Sequence, residues 1–169
     1  YFTKFITQKN YFVLEPNYSF IKNIHKKNID LAIYNRQSKH DKEYINKYLS
    51  NIFDKCTNMR GRFNKKRLDF ISKCKIFINI HAGNKYKIGE THRLNELVAS
   101  RCIVISQNCL QPHLMRLYKY IIFINDEEME NKINDVIDNY ENYYNEIFGN
   151  KSNEEIFKDI TNDYKKFIE

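Results

Sequence analysis

The sequence predicts an α/β fold: a single parallel sheet with helices on both faces, followed by two C-terminal helices. Three observations carry this. Short, nearly continuous apolar runs recur along the chain, as in strands buried on both faces of a parallel sheet. Segments with apolar residues at helical spacing lie between them, and strand–helix alternation is the signature of βαβ crossovers. The 169 residues suit one domain with its own core, and four Gly and two Pro exclude collagen-like and linker-like architectures.

Residues 1–28 form an unassigned N-terminal segment, in which Tyr11 to Leu14 reads as an edge strand before Pro16. An α/β body is expected over 29–125. Its strands are predicted at 29–34, 75–80, 102–106 and 120–124. Apolar positions 45, 48, 49, 52 and 53 predict a helix over 42–53. Leu68, Phe70 and Ile71 predict a short helix after the basic stretch 58–67, in which Arg60, Arg62, Lys65, Lys66 and Arg67 read as a solvated face. Leu94, Leu97 and Val98 predict another helix over 90–100.

Acidic C-terminal helices are expected over 126–169. One spans 126–147 through Met129, Ile133, Val136, Ile137 and Tyr140, with Asp126 as N-cap and Gly149 beyond its end. The other spans 152–168, opened by a Ser152/Glu155 capping box.

Charge is divided unevenly. Residues 1–125 hold 23 Lys and Arg against 8 Asp and Glu, a balance of +15, and residues 126–169 hold 5 against 13, a balance of −8. A basic body suggests a polyanionic or phosphorylated partner. A solvated lysine-rich surface is the competing reading, because Asn, Ile, Lys and Tyr make up 79 of 169 residues, the bias of an AT-rich genome. Of the four cysteines, Cys74 and Cys102 sit in apolar runs and read as buried thiols, and none has zinc-site spacing. No apolar stretch reaches the roughly 18 residues of a membrane span. With no secretory leader pattern at the start, the expected location is cytoplasmic or intracellular.

Chemistry concentrates after the run 75–80. The loop from His81 to Gly89, with the helix start Glu90-Thr91-His92-Arg93-Leu94-Asn95-Glu96, holds two of four glycines and two of five histidines. Ligands of open α/β sheets bind at the carboxyl ends of strands. Unpaired amides at a helix start attract phosphate, and Arg93 adds a fork for it. Lys85, Lys87 and Arg36 are further candidates for phosphate contact. Glu96, one turn inside, suits a pair of ribose hydroxyls; a surface ion pair with Arg93 is the structural alternative.

Two stretches, Arg67-Leu-Asp-Phe-Ile-Ser-Lys-Cys-Lys-Ile-Phe-Ile-Asn-Ile-His81 and Thr91-His-Arg-Leu-Asn-Glu-Leu-Val-Ala-Ser-Arg-Cys-Ile-Val-Ile-Ser106, resemble the C-terminal nucleotide-sugar-binding half of GT-B glycosyltransferases. The group-1 and spore-maturation-like types are the nearest in pattern, and the resemblance covers roughly 29–147. It implies a Rossmann-like domain, half of a GT-B fold, that binds a nucleoside-diphosphate sugar and transfers the sugar to a glycan or protein acceptor. It also implies that Glu96 binds the donor ribose and that amides of His92, Arg93 and Leu94 hold the diphosphate. His81 is the candidate catalytic residue, as general base or leaving-group contact. A second Rossmann-like domain is implied as partner, since this chain has room for one. Where the family pattern has a Gly in the following turn, this chain has Ser100-Arg101.

The chain has no Asp-x-Asp motif, so the predicted transfer is metal-independent, with no cofactor beyond the donor. The alternatives are a basic nucleic-acid-binding module and a non-catalytic interaction module. No RRM, KH or helix-turn-helix signature supports the first, and no G-x-G-x-x-G supports a dinucleotide site. Alanine at Glu96 is expected to weaken donor binding at little cost in stability, if that carboxylate is solvated in the empty site.

Overall fold

The computed structural model describes residues 2–8, 11–16, 26–81, 83, 91–109 and 118–166; for 2–8, 11–16, 64, 91, 92, 118 and 160–166 the backbone alone is described. The chain opens with an antiparallel hairpin of β1 (Phe2–Gln8) and β2 (Tyr11–Pro16), in which Gln8 faces Tyr11. The expected edge strand at 11–14 is β2, paired within this two-stranded sheet. Its partner β1 went unpredicted because Phe-Thr-Lys-Phe-Ile-Thr-Gln has no clean alternation.

The main sheet follows. In chain order it contains β3 (Ile29–Ile33), α1 (Lys39–Tyr48), β4 (Thr57–Asn58), α2 (Asn64–Ile71), β5 (Cys74–Asn79), α3 (Thr91–Ala99), β6 (Ile103–Gln107) and β7 (Ile121–Ile124). All five strands are parallel, in the order β4-β3-β5-β6-β7. The four predicted strands stand within a residue of their expected bounds. The unpredicted β4 has two residues, too few to show a period.

Register explains the apolar runs. Ile33, Ile78, Ile105 and Ile122 form one row across four strands, and Ala32, Phe77, Val104 and Ile121 form the neighbouring row on the opposite face. Successive side chains of a strand point to opposite faces, and every residue of β6 is buried, so both faces are covered. Each such isoleucine contributes about 1.5–3 kcal/mol by leaving water. On one side α1 meets the chain after β7, where the Tyr44 hydroxyl donates to Asp126 at 3.1 Å. On the other, α2 and α3 are joined by an ion pair between Arg67 and Glu96.

The helix expected at 42–53 runs instead over Lys39–Tyr48. Ser38 starts it early, its Oγ accepting from the Asp41 amide at 3.1 Å. Leu49 and Ile52 are buried beyond its end, so the apolar stripe marked core rather than helix length.

The C-terminal region holds three helices rather than the expected two: α4 (Met129–Asp138), α5 (Tyr140–Phe148) and α6 (Asn153–Lys166). The predicted helix over 126–147 breaks at Asn139, whose side-chain amide donates to the Asp135 carbonyl at 3.1 Å and carboxylate at 3.0 Å. Asparagine competes with the helical backbone in this way. Asp126 is not the N-cap: its carboxylate is taken by Tyr44 and by Gln107 Nε2 at 2.8 Å. Gly149 does end α5, at φ 50°. The Ser152/Glu155 box is present, with Glu155 accepting from the Ser152 amide at 2.6 Å and donating its own to Ser152 Oγ at 3.2 Å. Helix α6 packs on α3 and is tied through Asp159, which accepts from Lys119, Tyr120 and Lys151. The hydrogen bonds from Lys119 and Tyr120 hold that carboxyl well below its ordinary range.

Helix α3 ends where the family pattern has glycine. Arg101 N–H donates to Val98 at 2.8 Å and Cys102 N–H to Leu97 at 3.0 Å, a Schellman motif with Arg101 at φ 53°. The left-handed residue is the one for which glycine is preferred. Arginine is held there by its side chain, which donates to Asn153 Oδ1 at 2.7 Å, to Tyr144 Oη at 3.3 Å and to the Lys151 carbonyl. Arg101→Ala and Arg101→Gly both lose this clamp on α5 and α6. The glycine variant should nevertheless be the more stable by about 1 kcal/mol, reversing the usual order of the two residues. Urea denaturation of both variants checks this.

Candidate functional site

The strand order draws attention to one place along the sheet. Counting along the chain, the parallel strands are arranged 2-1-3-4-5, and the winding reverses between β3 and β5. Ligands of such sheets bind at this switch point, outside the carboxyl ends. Five buried polar residues collect at or just beyond those ends: Asn35, Asn79, His81, Ser106 and Gln107. Burial of so many polar groups is costly unless they are hydrogen-bonded.

The loop after β3 is fixed from several sides. Asn58 Oδ1 accepts from the amides of Asn35 (3.2 Å) and Arg60 (2.9 Å), while its Nδ2 donates to the Asn35 carbonyl at 3.2 Å. Asn35 Oδ1 accepts from the Gln37 amide at 2.7 Å, in an Asx turn that places Gln37 at φ 61°. Arg36 grips Asp41 with its amide at 2.6 Å and its Nη2 at 2.6 Å. The same Nη2 donates to the His81 carbonyl at 2.8 Å, joining the ends of β3 and β5. Burial pushes the Asp41 carboxyl up, but the hydrogen bonds from Arg36 and Ser38 outweigh it and leave the group below its ordinary range. Arg36, a candidate for phosphate contact, is thus a brace across the switch point.

His81 is 2% exposed. Its amide donates to Gln107 Oε1 at 2.6 Å, and Gln107 Nε2 in turn donates to Asp126. The ring Nε2 lies 3.1 Å from the Asn108 carbonyl. A carbonyl only accepts, so this contact places a proton on Nε2. Beside it, Asn79 Nδ2 donates to Ser106 Oγ at 3.0 Å, and Asn79 Oδ1 is buried without a donor among the described residues.

Helix α3 starts at Thr91. Arg93 lies over the Tyr34 ring at 5.2 Å, so the first turn of α3 reaches the end of β3. His92 lies in that turn; its side chain is outside the described residues. Leu94 is fully buried core and offers the site only its amide. Lys85 and Lys87 lie outside the described residues.

Glu96 is 3% exposed, and its Oε1 accepts from Arg67 Nη2 at 2.5 Å. The expected solvated carboxylate is therefore a buried one. Arg67 of α2, a residue outside the expected Arg93 pairing, supplies a cation beside it. Arg67 was assigned to the solvated face of 60–67, yet it lies one helical turn before the fully buried Ile71, on the same side of α2. That spacing was the available signal. Others of the stretch behave differently: Arg60, Lys65 and Lys66 are exposed, and Arg62 stacks on Phe70 at 4.3 Å. Asn35, Asn79, Ser106 and Gln107 also went unmarked. Each is a polar residue ending or following an apolar strand run, the position at which sheet ends turn functional.

No family model matches the chain, and no solved structure matches it. It is similar to uncharacterized protein R358 of Acanthamoeba polyphaga mimivirus, with 28% identity across 78% of this chain and 54% of that relative. The chain spans about half the length of the relative it matches. Among the described residues no helix is long and apolar enough to cross a membrane.

Proposed function

We propose that the chain is the donor-binding half of a glycosyltransferase that uses a nucleoside-diphosphate sugar. The observation that carries this reading is Glu96, buried inside α3 and paired with a guanidinium at 2.5 Å, at the position where the resemblance implies a ribose-binding carboxylate. The diphosphate would lie at the start of α3, against the amides of 92–94, with Arg93 beside it. Such donors, fixed before the reaction, would stabilise the negative charge that develops on the leaving diphosphate. His81 would act from the end of β5, its ring held by the Asn108 carbonyl. The acceptor and the second domain would come from outside this chain.

The expected result is that a nucleoside diphosphate binds more tightly than its monophosphate, in buffer containing a chelator. Calorimetric titration of both, with and without added magnesium, checks it. Strict metal dependence would move the protein to another class.

One observation favours a second reading as a nucleic-acid-binding module: Phe63 is 72% exposed in the stretch that holds the exposed Arg60, Lys65 and Lys66. Exposed aromatics among cations serve as stacking platforms for single strands. On the donor-site reading any such binding is weak and falls steeply with salt, as phosphate contacts alone do. Tight, selective binding of an oligonucleotide at physiological salt, measured by fluorescence anisotropy, would promote the second reading.

A further inference from the structure

We propose that Arg67 is a positioning residue for ribose recognition: it fixes the Glu96 carboxylate in the orientation that accepts from the donor hydroxyls. The inference rests on the donor-site reading and adds to it a residue from a separate helix. Arg67 stands in the first half of α2 and Glu96 in the second half of α3, and the Nη2–Oε1 bond of 2.5 Å crosses between the two helices. The Glu96 side chain is 4% exposed and that of Arg67 is 31%. Burying a carboxylate to this degree is costly without a counter-charge, and here that charge comes from a neighbouring helix.

The pairing does more than neutralise. A glutamate free to change rotamer loses that freedom when it binds a ligand, and the loss weakens binding. A carboxylate held by a guanidinium meets the ligand with its orientation set. A guanidinium kept for fold stability alone tends to have its buried donors met. The Arg67 Nε is buried and has no acceptor among the described residues, while Nη2 is committed to Glu96. Nη2 is thus directed at the carboxylate.

The test is the ratio of affinities for a nucleoside diphosphate and its 2′-deoxy form, measured by calorimetry. A panel of ribonucleoside diphosphates on the wild type selects the base. The ratio is then compared among wild type, Arg67→Ala, Arg67→Lys and Glu96→Gln, and in the Arg67→Ala/Glu96→Gln double variant, with circular dichroism reporting the fold of each. The wild type is expected to prefer the ribose form about tenfold. Arg67→Ala should bring that ratio close to one, while the preference for diphosphate over monophosphate stays. Arg67→Lys keeps the charge without the planar fork and should give an intermediate ratio. Once Glu96 is glutamine, Arg67→Ala should change the ratio no further.

A folded Arg67→Ala protein with the wild-type ratio overturns the positioning role, whatever its melting temperature, because a purely structural arginine would weaken both ligands alike. If Arg67→Ala does not fold, Arg67→Lys decides, and an unchanged ratio there overturns the role. A wild type that binds diphosphates with no preference for ribose overturns the inference at Glu96. A wild type that binds none overturns the donor-site reading beneath it.

Discussion

Replacing Asp41 with alanine is expected to lower stability by about 3 kcal/mol, the lower end of the cost of breaking a buried ion pair. Asp41 is 0% exposed and Arg36 23%, so the stranded guanidinium would keep a little access to water. The loss extends beyond one pair. Arg36 also holds the His81 carbonyl, so the variant loosens the brace between the ends of β3 and β5. In a domain of this size about 3 kcal/mol corresponds to a fall of roughly 10 °C in melting temperature. The pH dependence has a definite sign. The folded carboxyl lies below its ordinary value of 3.8, so its contribution is fully present above about pH 4 and fades as pH falls through the depressed value. Asp41→Asn, which cannot titrate, should lose less stability than the wild type on acidification below pH 4. Urea denaturation across that window measures the difference.

The second large effect belongs to Glu96. Hydrogen bonds to a charged group contribute about 1.5–3 kcal/mol net, so Glu96→Ala should weaken donor binding by about ten- to a hundredfold. The burial of Glu96 against Arg67 corrects one part of the sequence-based expectation: alanine also costs stability, by about 2 kcal/mol, because it strands a partly buried guanidinium. Glu96→Gln keeps the shape and one acceptor, and should separate the two effects by losing affinity with a smaller fall in melting temperature. Thermal melts and donor titrations on the same preparations give both numbers. A well-folded glutamine variant with unchanged affinity would remove the residue on which the glycosyltransferase reading leans most.

How far the sequence reaches is visible in these residues. The rows Ile33–Ile78–Ile105–Ile122 and Ala32–Phe77–Val104–Ile121 were legible, because strands buried on both faces leave uninterrupted apolar runs. The short β4 was not, since pairing rather than pattern makes its two residues a strand. Asn139 reads as an ordinary polar position in a helical stripe; only its bonds to Asp135 reveal the break. The Ser100-Arg101 departure from glycine pointed to the right place, and the structure gives its meaning: a left-handed residue retained through three side-chain bonds. Partners distant in sequence were the hidden part. Nothing local to Arg36 announces Asp41 and His81 together, and nothing local to Glu96 announces an arginine 29 residues earlier.

The most direct measurement is the binding of a nucleoside diphosphate to the wild-type chain, titrated calorimetrically in chelator against its 2′-deoxy counterpart. The account predicts saturable binding at one site, with the ribose form bound about tenfold more tightly. Equal affinity for the two forms, or no binding of any nucleoside diphosphate, would contradict it.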